Sequence, residues 1–365
     1  MRIKLSKTFA VSLGAISLGL IAGAVLMAVT ANNPLLGYLH LFRGGLMNIE
    51  RFGNSLASST TLIFTGLSVA FAFKTGLFNI GASGQMLMGG LLASAVGLYV
   101  AWPRPVLLPA MFLAASVGGG AWGALPGWLK VKFNVHEVVS TIMMNWIAFW
   151  TVSYVVPRYL RDIFMETESR RIPAAASLRT EWLTDLFRGS YINLGLVLAI
   201  AAVAAIAFLL DRTVFGYELK AVGYNKHAAQ AAGIDIDRRM VASMAIAGAL
   251  AGLGGLVFYA GYSVNIQIGI LPAQGFDGIA VALLASSSPW GVWGAATFFG
   301  ILHTGKGFMS AMTAIPPTIA DTIIATIIYF AATSVLIETF WDKHSKRREQ
   351  RGAQQRRATL RQGVK

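Results

Sequence analysis

The chain of 365 residues contains no cysteine. That single absence removes disulfides, thiolate nucleophiles, iron–sulfur clusters and cysteine zinc sites. Charge is also scarce. Asp, Glu, Lys and Arg make up 13% of the residues, against about 25% in an ordinary soluble protein. With 55% hydrophobic residues and a mean hydropathy of +0.61, the chain cannot cover a water-soluble globule of this size with polar surface, which sets aside a cytosolic enzyme. Acids are the scarcer sign, 16 Asp and Glu against 30 Lys and Arg, for a net charge of +14. The 5 histidines are scattered, with neither a metal-ligand spacing nor a Ser/His/Asp cluster, so no catalytic constellation is legible and no metal is expected. The basic excess lacks the aromatic-interleaved groove that nucleic acid requires. This is a membrane protein by composition.

Long hydrophobic runs are what the sequence has instead. A spanning helix needs about 20 apolar residues. Stretches free of charged residues cover 8–42, 52–73, 75–103, 105–129, 138–157, 189–210, 240–276 and 278–305, and 307–337 is interrupted only by Asp321. The turn signal Ser286-Ser287-Ser288-Pro289-Trp290-Gly291 divides the 278–305 window. The expectation is an all-α polytopic membrane protein of about ten transmembrane helices, with at least one broken helix. The eighth, roughly 275–287, is too short to cross alone. The apolar run Phe9 to Val29 exceeds a signal-peptide core and reads as an uncleaved first helix, with cleavage as the lesser alternative. With the N-terminus inside, cytoplasmic segments hold 20 of the Lys and Arg residues and outer segments 10, so both termini are expected to be cytoplasmic. The transmembrane domain is expected over 1–340, with an external loop at 157–189 and a cytoplasmic segment at 211–239. The basic tail 341–365 is expected to be disordered and to face anionic lipid headgroups.

The polar stretches carry the functional information. Segment 211–239 reads as two very short helices joined at Gly223, with Asn225 as an N-cap and Gly233 as a stop. Helices under about 12 residues do not stand alone in water. These either pack on the protein's own helix ends or dock on a cytoplasmic partner. Within the membrane, Asp277 and Asp321 fall at predicted helix starts, and the scarcity of other carboxylates argues against an ion-coupled carrier. Amides and hydroxyls stand in their place: Asn79, Ser83 and Gln85 near one helix start, and Thr141 and Asn145 four residues apart on one helical face. Such groups bond either an uncharged polar solute or a neighbouring helix. The stripes Gly119/Gly123/Gly127 and Gly248/Gly252 read as helix-packing surfaces. Gly300 to Lys306 imitates a phosphate loop, but Gly307 stands where Ser or Thr must ligate magnesium. His136-Glu137 opens like a zincin helix without its second histidine.

Four blocks then carry a resemblance. They are Thr75 to Gln85, Glu137 to Asn145, Ala221 to Ile234, and Gly275 to Leu284. In this order, over roughly 55–340, the chain resembles the permease subunits of bacterial ABC importers for ribose, branched-chain amino acids and nucleosides, most of all the nucleoside (simple-sugar-type) permeases. The resemblance implies a multi-pass protein of the bacterial cytoplasmic membrane that is not itself an enzyme. Its implied partners are an ABC-type ATPase subunit, a second related permease or a second copy, and an external solute-binding lipoprotein or periplasmic protein. No cofactor is implied on this chain; ATP and magnesium would be held by the ATPase. The same resemblance implies a substrate pathway at Asn79, Ser83, Gln85, Thr141, Asn145, Phe276 and Asp277. It implies ATPase coupling through Glu218, Lys220, Gly223, Asn225, Ala228, Ala229 and Gly233. The chain departs from the family at Ser83, where Glu is common, and at Ala285, where Gly is common. Nucleosides are the expected solute. The alternatives are a monosaccharide or branched-chain amino acid on the same architecture, or an ion-coupled carrier acting alone.

Overall fold

The computed structural model describes residues 2–333, so the expectation for the tail 341–365 lies outside the described residues. Fourteen α-helices follow in chain order among these residues. The first seven are α1 (Arg2–Val29), α2 (Pro34–Leu46), α3 (Ile49–Lys74), α4 (Ala82–Tyr99), α5 (Arg104–Phe133), α6 (Glu137–Val155) and α7 (Glu181–Leu186). The rest are α8 (Gly195–Arg212), α9 (Val214–Tyr224), α10 (Lys226–Ala231), α11 (Ile236–Val257), α12 (Ala273–Leu284), α13 (Pro289–Met312) and α14 (Pro317–Ala332). Single π-helical turns extend α6 over Val156–Leu160 and α11 over Phe258–Tyr262. Among the described residues, six helices are long and apolar enough to cross a membrane: α1 from Ser12, α3, α5, α6 with its π turn, α8, and α11 with its π turn.

Two windows break where a single helix was expected. The 8–42 run splits because Ala31 takes a left-handed conformation (φ 57°) and Asn33 starts a new helix. The Asn33 side chain accepts hydrogen bonds from the backbone N–H groups of Leu35 (2.9 Å) and Leu36 (3.3 Å), and Pro34 occupies the first helical position. At 13 residues, α2 is about 20 Å long and cannot cross. In the 75–103 window, helix begins only at Ala82. Residues 75–81 turn back along α3, bringing the Asn79 side chain to Ser68 (3.2 Å). The short segment expected at 275–287 is α12, 12 residues long. It ends in a turn that places Ser286 and Ser287 in left-handed conformations before Pro289 opens α13.

The centre of the molecule is α3, 83% of whose span is buried, with α11 beside it at 67%; the spans of α1, α5, α6 and α8 are 22–33% buried. Glycine sets how closely the central helices approach. A Cβ on Gly119 would lie 2.7 Å from the Gly252 Cα, and one on Gly123 would lie 2.9 Å from the Gly248 Cα, so the two glycine stripes form the α5–α11 contact. The phosphate-loop imitation has the same cause. Gly300 lies against the Ser55 carbonyl of α3 and Gly305 against the Leu41 backbone of α2, both from inside α13.

The two ends of the bundle differ. At one end, residues 157–191 pair with 263–268: the Ser169 N–H donates to Ile266 O (2.9 Å) and the Ile172 N–H to Val264 O (2.9 Å). At the other end, α9 and α10 bury Val222 and Ala229 in a small apolar cluster with Ala72, Leu77, Met240 and Met244.

Candidate functional site

Two helices begin inside the protein rather than at its ends. The start of α4 and the start of α12 lie side by side: the Ser83 hydroxyl donates to Pro272 O (2.9 Å), and a Cβ on Gly275 would sit 2.5 Å from the Ser83 Cα. Around this junction the amides form a closed knot. Asn79 and Gln85 exchange two side-chain hydrogen bonds, at 2.9 and 3.1 Å. Asn79 Oδ1 also accepts from the Gly81 N–H (3.0 Å). Asn145 of α6 accepts from the Gly84 N–H (2.8 Å) and donates to Ile80 O (3.0 Å), fixing α6 to the first turn of α4. Thr141 donates back to Glu137 O of its own helix (2.7 Å), with Gly81 packed against it.

The structure thus brings these sequence-predicted residues together. Asn79, Ser83, Gln85, Thr141 and Asn145 are each at most 2% exposed, and their polar atoms are engaged by the protein itself. Phe276 is different, at 41% exposed. Asp277 turns toward α13, where its Oδ2 lies 3.4 Å from His303 Nε2.

On the other side of the α12 start lies a cavity of about 200 Å³. Ser58 and Thr61 of α3, Phe258 and Tyr262 of the π turn, Gln274 of α12, and His303, Thr304 and Lys306 of α13 line it. Thr61 is the thirteenth of the 26 residues of α3, which places the cavity at mid-depth. A second cavity of about 240 Å³ shares Phe258 and Gln274 with the first and continues toward Ser263 and Gln267 at the loop-rich end. The π turn aims the aromatic rings here; Phe258 and Tyr262 stack with centroids 5.8 Å apart and planes 21° apart. The buried His303 Nε2 has no hydrogen-bond partner within the protein. Lys306 is held by Asp321 of α14 (2.7 Å).

The aromatic row continues outward. Tyr191 meets Tyr262 edge to face (5.7 Å), and the Arg179 guanidinium lies 4.9 Å from the Tyr191 ring centroid. Arg179 also donates to the carbonyls of Gly261 (2.7 Å) and Tyr262 (2.5 Å), fixing the π turn from outside. Burial holds its pKa below the ordinary arginine value, with Tyr191 opposing the fall and Arg171 adding to it; it stays cationic. Arg104, Arg171 and Arg179 together edge a surface groove of about 1020 Å³ at this end.

At the opposite end, the break between the short helices falls at Asn225, not at Gly223 as the sequence suggested. Asn225 leaves the helical conformation and its side chain accepts from the Ala228 N–H (3.1 Å). Gly223 serves instead as a seat: a Cβ there would lie 3.1 Å from Gly76 N and 3.0 Å from the Lys74 carbonyl carbon. Of the expected coupling residues, Glu218 pairs with Arg239 (2.6 Å), Lys220 pairs with Asp211 (3.3 Å), and Ala229 is buried. Asn225 and Ala228 are exposed, as is Gly233, whose φ of 81° makes the closing turn. Tyr217, Tyr224, Lys226 and His227 complete this surface. Sequence reading missed the cavity residues because Ser58, Phe258, Gln274 and His303 come from four distant segments. The one local signal was the pair of amides Gln267 and Gln274, with Gly269 and Pro272 between them, interrupting the 240–276 window.

Helices that begin inside a bundle of membrane-length helices are a recurring feature of membrane transport proteins. Within that class, the chain belongs to the family of permease components of branched-chain amino acid transport systems, which residues 51–332 match. It is 39% identical over 338 residues to the guanosine ABC transporter permease protein NupP of Bacillus subtilis, covering 92% of this chain and 97% of that protein. It is 38% identical over 340 residues to the nucleoside ABC transporter permease protein NupB of Lactococcus lactis subsp. cremoris, covering 91% and 93%. It is 32% identical to the glucose ABC transporter permease protein TsgB13 of Haloferax volcanii, covering 88% and 86%. No solved structure matches the chain. The chain is a transport component and not an enzyme.

Proposed function

We propose that this chain is the membrane-spanning subunit of an ATP-driven importer of nucleosides in the bacterial cytoplasmic membrane. The observation that carries this reading is the seat of α9 and α10. Two helices too short to stand alone are fixed by Gly223 on Lys74 and Gly76 and by Val222 and Ala229 in an apolar cluster. Tyr217, Tyr224, Lys226 and His227 are left facing outward. That surface suits an ABC-type ATPase, which binds ATP and magnesium. It makes this end cytoplasmic and the loop-rich end external, in keeping with the distribution of Lys and Arg.

In this orientation the chain crosses ten times, through α1, α3, α4, α5, α6, α8, α11, residues 263–284 together, α13 and α14, while α2 enters and does not cross. A second permease, related or identical, completes the pathway, and an external binding protein delivers the solute. The knot at Asn79, Ser83, Gln85, Thr141 and Asn145 closes the route toward the cytoplasm, and Phe276 and Asp277 lie where α12 meets it. Resemblance to the glucose permease favours a monosaccharide as the second reading.

The test is purification from the native membrane in mild detergent, followed by tritiated guanosine uptake in vesicles loaded with ATP. Co-purification of an ATPase and ATP-dependent guanosine uptake is the expected result. Uptake by the chain alone under an ion gradient would overturn the importer reading. ATP-dependent uptake of glucose without guanosine would move the assignment to the second reading.

A further inference from the structure

We infer that the mid-depth cavity is a solute-recognition site within the permease itself, and that Phe258 and Gln274 set which nucleoside it prefers. The inference rests on the nucleoside reading above and adds residues to it. Discrimination in such an importer could reside wholly in the external binding protein, with the permease a featureless conduit. The cavity does not have the make-up of a conduit. Its wall combines a stacked aromatic pair, Phe258 and Tyr262, with an amide at Gln274 and hydroxyls at Ser58, Thr61 and Thr304. A nucleoside presents the matching chemistry: a flat heteroaromatic base whose face stacks on aromatic rings, an edge of neutral donors and acceptors, and a hydroxylated sugar.

Three further features support the assignment. The cavity of about 200 Å³ and its neighbour of about 240 Å³ share only Phe258 and Gln274, so a solute moving inward from the loop-rich end passes both side chains. The Phe258–Tyr262 pair sits on a π-helical turn, a distortion frequent at functional sites, and Arg179 holds its Gly261 and Tyr262 carbonyls from outside the cavity. His303 Nε2 meets only Asp277 Oδ2, at 3.4 Å and without hydrogen-bond geometry, so a solute competes there with a single weak contact. By contrast, the amide knot a few residues away in α4 has its side chains already engaged with the protein. The ligands it would take are uncharged: Lys306 is paired with Asp321, and among the described residues no carboxylate lines the cavity.

The experiment uses cells that express the whole importer with its own unaltered binding protein and lack other nucleoside uptake. KM and kcat are measured for tritiated guanosine and tritiated cytidine, for wild type and for F258L and Q274L. Because the binding protein is constant, a change in preference between the two solutes must arise in the permease, and loss of folding alone would lower both equally. The expected result is a rise in KM of about tenfold for guanosine in F258L, equivalent to about 1.4 kcal/mol, and a smaller rise for cytidine. In Q274L, the guanosine-to-cytidine ratio of kcat/KM should shift at least threefold. If either variant fails to assemble, F258Y and Q274N are read instead, with a ratio shift of about twofold expected. A ratio unchanged in every assembled variant, with wild type transporting both nucleosides, overturns the inference and leaves the nucleoside reading standing. Wild-type uptake of neither solute overturns that reading and this inference with it.

Discussion

The protein holds two polar clusters within a few residues of one another, and they are built on opposite terms. In the knot, Asn79, Gln85 and Asn145 spend their amides on each other and on the backbone of residues 80–84. In the cavity wall, Gln274, His303 and Thr304 border open space. Both are uncharged or neutralised, and both are costly to bury in an apolar body. The difference is in what offsets the cost. Satisfied amides hold helices in register, so the knot fixes where α4 and α6 begin. Polar groups that face a cavity stay available, so the cavity can bond a passing solute. Residue type alone does not separate the two roles; the hydrogen-bond partners do.

Five substitutions test this contrast, in decreasing order of expected effect on stability. Asn145→Leu should be the most damaging, because it leaves the buried Gly84 N–H and Ile80 carbonyl unpaired. Each such group costs about 1–3 kcal/mol, and thermal unfolding of the detergent-purified protein should show a clear fall in Tm. An unchanged Tm would mean the knot is not structural. Asn79→Leu should cost about 1–3 kcal/mol by the same argument. Combining it with Gln85→Leu should cost less than the two singles added together, since both ends of the shared bonds are removed. A double-mutant cycle reads this directly, and strict additivity would deny the pairing.

His303→Gln should change stability by less than about 1 kcal/mol, since Nε2 makes only a long 3.4 Å contact with Asp277 that an amide can also make, while altering nucleoside uptake. A large fall in Tm with normal uptake would move His303 into the structural group. Tyr224→Ala, fully outward on α9, should leave stability within about 0.5 kcal/mol and raise the ATP hydrolysed per solute moved. Unchanged coupling in the reconstituted importer would remove this surface from the ATPase contact.

Much of the fold was legible because hydrocarbon imposes a length requirement on apolar runs. The windows at 52–73, 105–129, 138–157 and 189–210 match α3, α5, α6 and α8 closely, and the Ser-Ser-Ser-Pro turn does separate α12 from α13. The split of the first window was written locally, in Asn33-Pro34, but a search for missing charges does not see a cap. The return of residues 75–81 along α3 was not legible, because it depends on Asn79 finding Ser68 and Gln85. For the candidate site, side-chain chemistry singled out the amides that the structure brings together and left open whether they bond a solute or other helices. The cavity escaped notice because its wall joins α3 to segments about 200 residues further on, and its aromatic pair depends on a π turn that periodicity at 3.6 residues cannot register.

The meeting of two helix starts inside the bundle also bears on electrical insulation. Each helix start carries about half a positive charge from its aligned peptide dipoles, and the first turns of α4 and α12 contain no acidic residue. Beyond those turns, Asp277 is engaged with His303. The two dipole ends add positive potential at their junction, which disfavours an inorganic cation there and leaves an uncharged solute almost unaffected. A subunit built in this way can open a passage wide enough for an organic molecule without short-circuiting the membrane that drives the rest of the cell.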